Sequence, residues 1–288
     1  MKLSKQGIIT ILGLWAMALP LCAQNPTNSP LSRLHWNPGP TTAILGDYAE
    51  IKIPSGYKYL NATDTRKLLE LEGNPTSGAE LALLTPNTDK WFVVFEFQDS
   101  GYVKDDEKNQ LNPDKMLAAF KKGNDQANEW RKQHGAPPLN ILAWEQPPKY
   151  NEETHNLEWA IRCESEGTLV INYSTRLLGR RGVMQVDLVV VPEQLADTLS
   201  GYQALLKDYS FKDGQRYAEY RQGDKVAKYG LAALITGGAA VVAVKTGLFA
   251  WLILKFKVFW KFIVLGFVAV VGFFKRLITG DRSKKPSA

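Results

Sequence analysis

Cysteine, histidine and methionine are scarce: the 288 residues hold two, three and four of them. Two cysteines exclude a disulfide framework and a four-cysteine zinc site. No P-loop, G-x-S-x-G, H-E-x-x-H or C-x-x-C pattern occurs, so the common signatures of nucleotide, acyl-transfer, zinc-protease and dithiol chemistry are missing. Internal repeats are missing as well. Acidic residues are rare at the chain's end: residues 223–288 carry 2 Asp/Glu against 11 Lys/Arg, whereas residues 24–222 carry 27 against 22. The net charge of +6 therefore belongs to the ends, which excludes a nucleic-acid-binding body. What is abundant is apolar sequence. With 45% hydrophobic and 22% charged residues the chain is built to fold, not to stay disordered.

The first 23 residues read as an export signal. Lys2 and Lys5 precede an uncharged run over 7–21, and small residues follow at Ala16, Ala18 and Ala23. Cleavage after Ala18 fits the small-residue rule, and cleavage after Ala23 meets the polar Gln24-Asn25-Pro26. Leu21 before Cys22 argues against a lipoprotein signal. If cleavage follows Ala23, Cys163 is left without an intrachain partner, and its place on an expected strand reads as a small buried hydrophobe.

Residues 223–288 read as a hydrophobic membrane anchor with a basic tail. Residues 230–244 and 262–274 contain no charge, and Lys275, Arg276, Arg282, Lys284 and Lys285 follow. Small residues at Ala232, Thr236 and Ala240, with Ala233 and Gly237, recur every four positions, the spacing that lets helices approach closely in a bilayer. Two arrangements fit. One is a span over 229–254 followed by a basic interfacial helix, which leaves the basic tail cytoplasmic. The other is a hairpin broken near Lys245-Thr246-Gly247.

The middle, residues 24–222, is expected to be one extracytoplasmic α+β domain, a mainly antiparallel sheet with packed helices. Residues 25–40 look like a loose leader. Alternation over 48–53 marks a half-buried strand, and 57–60, 79–84 and 90–98 continue the set. Trp91-Phe92-Val93-Val94-Phe95-Glu96-Phe97 is rich enough in β-branched and aromatic residues to be central. A short helix follows Thr63 or Asp64 and stops at Gly73. Asn112-Pro113 starts a long helix that ends at Gly135. Strands are expected over 141–146, 157–164, 169–178 and 183–191. Pro192 opens a last helix, and Tyr209-Ser210-Phe211 follows.

Four groups of side chains are candidates for chemistry. Arg176, Arg180 and Arg181, with Lys149, could form a cationic patch for an acidic ligand, although 178–182 also reads as a plain hairpin turn. Asp99, Asp105 and Asp106, with Glu107, offer hard oxygen ligands for a cation, without EF-hand spacing. His155 lies among Glu152, Glu153 and Glu158 in a turn and could do acid–base work. Ala232, Thr236, Gly237 and Ala240 could pack membrane helices. No cofactor is expected.

Five spaced motifs carry a resemblance: Gly46-Asp47-Tyr48-Ala49; Asp99-Ser100-Gly101-Tyr102; Trp144-Glu145-Gln146-Pro147-Pro148 with Thr154-His155-Asn156; Asn172-Tyr173 with Leu178-Gly179-Arg180-Arg181-Gly182; and Gly223-Asp224-Lys225-Val226. Together these resemble a bacterial family of uncharacterised membrane-anchored proteins with a domain of unknown function. The resemblance implies topology and no chemistry. The expected partners are the lipid bilayer and another membrane or envelope protein, with no nucleic acid. The expected place is the cell membrane, and the expected role is non-enzymatic interaction. An envelope hydrolase using His155, or an accessory subunit of a membrane complex, is the alternative.

Overall fold

A computed structural model describes residues 30–236. The expected signal peptide, Gly237, Ala240 and the rest of the hydrophobic stretch lie outside the described residues. The chain divides into two compact units, Met1–Ala240 and Val241–Ala288, and every described residue belongs to the first. Its strands are β1 (Asn37–Pro38), β2 (Thr41–Leu45), β3 (Ala49–Ile53), β4 (Tyr57–Asn61), β5 (Glu80–Pro86), β6 (Phe92–Gln98), β7 (Asn140–Asn151), β8 (Asn156–Ser165), β9 (Thr168–Leu178), β10 (Val183–Val190) and β11 (Tyr209–Phe211). The helices are α1 (Ala62–Leu71), α2 (Pro113–Gln133), α3 (Leu195–Lys207) and α4 (Leu231–Thr236). Every pairing between these strands is antiparallel. Eight strands form one sheet in the order β1-β4-β5-β6-β10-β9-β8-β7, and three form a second, β11-β3-β2. The α+β expectation holds, and no described helix is long and apolar enough to cross a membrane.

Successive strand residues face opposite ways, so β6 sends Val93, Phe95 and Phe97 to one face and Val94 and Glu96 to the other. The first face packs against Leu45, Ile51 and Ile53 of the small sheet and Tyr202 and Leu205 of α3. The second has two apolar fields. Leu69 of α1 packs with Leu60, Leu83, Val94, Val170 and Val189. Phe120 of α2 packs with Leu157, Trp159, Ile161 and Cys163. Both faces of β6, β9 and β10 are thus largely closed, which explains why apolar residues on β6 and β10 fall on both faces instead of alternating.

The local signals acted as expected, with shifts of position. Asn112 Oδ1 caps α2 by accepting from Lys115 N, and Pro113 takes the first turn, where its missing N–H costs nothing. The polar interruption at Asn124 has a purpose: Asn124 and Asn128 both donate to Leu139 O, and Asn128 Oδ1 accepts from Leu139 N, fastening α2 to the chain entering β7. The cap of α1 is Asn61, not Thr63 or Asp64. Asp64 is instead buried and accepts from Lys67 Nζ and from His35 N, which pins the N-terminal arm. The described part of the expected loose leader is therefore held against the body, with β1 paired to β4. β7 runs on through Pro147-Pro148, beyond its expected end. It can do so because it is an edge strand with three register shifts.

Between the two fields of the second face runs a buried polar row. Across the register, Glu96, Gln185 and Arg176 stand side by side, and Asp187 and Ser174 form the next row. Arg176 Nη1 donates to Asp187 Oδ1 at 3.0 Å, Ser174 Oγ donates to the same carboxylate, and the guanidinium lies 4.7 Å from the centre of the Trp159 ring. Burial first, then the neighbouring Glu80 and Asp187, push the Glu96 carboxyl up to about 8. A carboxyl raised in this way contributes its full stability below its unfolded value of 4.5 and loses it as pH rises through about 8. Glu96→Gln is accordingly expected to stabilise the fold by about 1–3 kcal/mol at pH 8.5 and to change little at pH 4.5, as read by urea unfolding at both pH values.

Candidate functional site

After β11 the chain does not leave the body. Residues 212–230 are laid along it as a strap. Lys212 N donates to Tyr48 O, Arg180 N to Gln215 O, and Gly179 pairs with Arg216. Further on, Tyr102 N donates to Lys225 O and Ala227 N to Tyr102 O, each at 2.8 Å, a parallel bridge centred on Val226. This approach requires Gly101: with φ +90°, a Cβ there would sit 2.5 Å from Lys225 O. Arg180 grips Asp224 with two bonds, Nε to Oδ2 at 2.7 Å and Nη2 to Oδ1 at 2.8 Å. The Arg180 bond first, then the Arg221 amide, hold the Asp224 carboxyl down at about 2. The latch therefore stays charged throughout the ordinary carboxylate range and is lost only as pH falls through about 2.

The strap closes over a cluster of rings. Tyr217 is buried, donates to Val103 O at 3.0 Å, and stacks on Tyr102 with ring centres 4.5 Å apart. Tyr220 covers the same Tyr102 ring at 4.2 Å. His155, at φ +52° in the β7–β8 turn, lies 4.6 Å from Tyr217. Tyr150 Oη donates to Asp105 Oδ2 at 2.9 Å and lies 3.1 Å from His155 Nδ1. The phenol has a single hydrogen and gives it to the carboxylate, so Nδ1 carries the imidazole hydrogen and Nε2 is the acceptor. Burial first, then Asp105, hold the Tyr150 phenol well above its usual range, so it remains a donor. The group can orient an imidazole, and it ties three loops together.

The predicted candidates are distributed differently. Arg176, Arg180 and Arg181 do not form a patch. Arg176 is buried on Asp187, Arg180 is held by Asp224, and Arg181 is exposed, its carbonyl accepting from Gly101 N. Asp99, Asp105 and Asp106 part company too. Asp99 meets Lys225, Asp105 meets Tyr150, Asp106 is exposed, and no group of three ligands suited to a metal occurs among the described residues. His155 is joined to Asp105, whereas Glu158 accepts from Tyr173 Oη and Glu152 pairs with Lys108. Cys163 is buried and its thiol is pushed up to about 12 by that burial, an unreactive state. Ala232 and Thr236 lie on α4, where Leu231, Leu234 and Ile235 join the core beneath α2 and Thr236 Oγ1 donates to Ala232 O. The ring cluster leaves no signal in the sequence, because Tyr150 lies 45 residues from Asp105 and Tyr217 lies 115 from Tyr102, with no shared pattern.

The fold is that of an α+β protein with a large antiparallel sheet covered on both faces. The chain belongs to the family described as a protein of unknown function, DUF2167, whose model matches residues 37–271 and so takes in both body and strap. No curated protein matches it. Among solved structures it is similar to cyanobacterial PsbP (CyanoP) from Synechocystis sp. PCC 6803, at 9% identity over 67% of this chain and 99% of that one, with a TM-score of 0.38. It is also similar to the Ran-binding protein Mog1p of Saccharomyces cerevisiae, at 7% identity over 60% of this chain and 96% of that one, with a TM-score of 0.30. At these scores neither likeness carries an inference about ligand or partner.

Because the two-bond latch needs a planar fork, Arg180→Lys should loosen the strap almost as much as Arg180→Ala. Hydrogen exchange at Tyr102 and Ala227 should quicken about tenfold or more in both variants, while β6 and β10 keep their protection.

Proposed function

We propose that this protein is an envelope interaction module: an exported body, held at the membrane by the hydrophobic sequence after Thr236, that presents a rigid surface to another envelope protein. The observation that carries this reading is the docked strap. A tether that merely linked body to bilayer would need no internal pairing. Here the last described residues are fixed by Arg180–Asp224, by the Tyr102–Val226 bridge and by three apolar residues of α4. Tyr220 and Val226, 37% and 38% exposed, are held beside Tyr102 on this strap, an apolar spot with a fixed backbone.

Two truncations and one double variant test it. A chain ending at Thr236 should leave the membrane fraction for the soluble extracytoplasmic one and keep its unfolding midpoint. A chain ending at Gln222 should lose about 2–5 kcal/mol, because Leu231, Leu234 and Ile235 no longer fill the core under α2. Cross-linking of the intact protein in its own membrane should capture a protein partner, and Tyr220→Ser with Val226→Ser should abolish that capture. An unchanged cross-link, or none in the native protein, defeats the interaction reading.

A second reading, an envelope enzyme, draws on the Asp105–Tyr150–His155 chain, in which Nε2 is the available base. His155→Asn tests it. A folded variant that keeps full function in the cell excludes acid–base chemistry at this imidazole.

A further inference from the structure

On the second face of the sheet, away from the strap, α1, the start of β6 and the N-terminal arm enclose a cavity of about 510 Å³. Its walls are mostly apolar: Leu31, Leu34 and Trp36 from the arm, Leu68 from α1, Leu83 from β5 and Phe92 from β6. The arm is a fixed wall, because His35 N donates to the buried Asp64 and β1 pairs with β4.

Three charged groups reach the cavity. Lys58 from β4 and Asp89 from the β5–β6 turn are 2.9 Å apart and neutralise each other, and the Lys58 ammonium also rests 4.6 Å from the centre of the Trp36 ring. The third is Glu72. Among the described residues its carboxylate has neither an ion-pair nor a hydrogen-bond partner, and it is half-buried. It is also the C-cap of α1, where the helix dipole presents its negative end, and the last turn of α1 contains no basic residue to offset it. An apolar cavity with one unbalanced negative charge is complementary to one kind of guest.

We propose that this cavity binds a small amphipathic amine, its apolar body against Leu34, Leu68, Leu83 and Phe92 and its ammonium group on the Glu72 carboxylate. An anionic ligand has no counterpart there, since Lys58 is already taken by Asp89. A neutral apolar ligand would leave a desolvated carboxylate beside a helix C-terminus. Burial pushes the Glu72 carboxyl up to about 7, and a bound ammonium opposes that shift by supplying the missing partner.

The inference does not depend on the tether or on the strap, and its test is separate from theirs. Full-length protein in lipid nanodiscs, with empty nanodiscs as the blank, is titrated at pH 8 with 2-phenylethylamine, 2-phenylethanol and 3-phenylpropionate, with binding followed by saturation-transfer NMR. The amine should bind about tenfold or more tightly than the other two. Glu72→Gln, which keeps the side chain's shape, should erase that preference, and Leu68→Trp, which fills the cavity, should abolish binding of the amine. Equal affinity for amine and carboxylate overturns the proposal. So does a preference that survives Glu72→Gln in a variant with native circular dichroism, or amine binding undiminished by Leu68→Trp.

Discussion

Closure of the central sheet on both faces is the constraint from which the rest follows. With the small sheet and α3 on one side and α1 and α2 on the other, Ser174, Arg176 and Asp187 are cut off from water. Arg176 and Asp187 must therefore satisfy each other, helped by Ser174 and by the face of Trp159. Such a pair adds little net stability compared with apolar residues of the same size, but removing one partner leaves a buried charge that is costly. The pair also marks the seam where the apolar field under α1 meets the field under α2. Glu96 takes the same constraint to its limit, staying protonated where a charge could not be hydrated.

A second consequence concerns the end of the body. The β9–β10 turn is tight because Gly182 lets the chain pass against Gln98 O, where a Cβ would lie 2.1 Å away. That turn presents Arg180 to the strap, and the strap in turn lays its own Tyr217 on Tyr102 at the rim of the core under α2. Residues 223–236, which look like the beginning of a membrane segment, are used first as part of the folded body. Their apolar character serves α2 and β8 before it serves anything else.

Much of the fold was legible because its signals are local. Asn112-Pro113 caps and starts a helix whatever surrounds it, and Gly135, at φ +70°, ends it. The run from Trp91 to Phe97 reads as a central strand because only a strand with two buried faces needs such residues. Thr41–Leu45 was not recognised, since two threonines and an exposed Ile44 give no clean alternation. α4 has the look of membrane sequence because hydrophobicity reports a tendency to be buried and not the place where burial occurs. Leu231, Leu234 and Ile235 find theirs under α2.

The candidate chemistry was much less legible. Arg176, Arg180 and Arg181 are near one another in sequence, and proximity suggested a shared purpose. On a strand and its turn, neighbouring residues face different ways, so the three reach a core, a strap and solvent. Asp105, Tyr150, His155 and Tyr217 form one cluster although no spacing connects them. By itself, then, the sequence determined where α2 begins and ends, which strands are central, and that the chain builds an α+β body with hydrophobic ends. These depend on capping, periodicity and composition, which act over a few residues. Only the tertiary structure decided which charges meet, because the partner of each is set by sheet register and by loops brought together from distant parts of the chain.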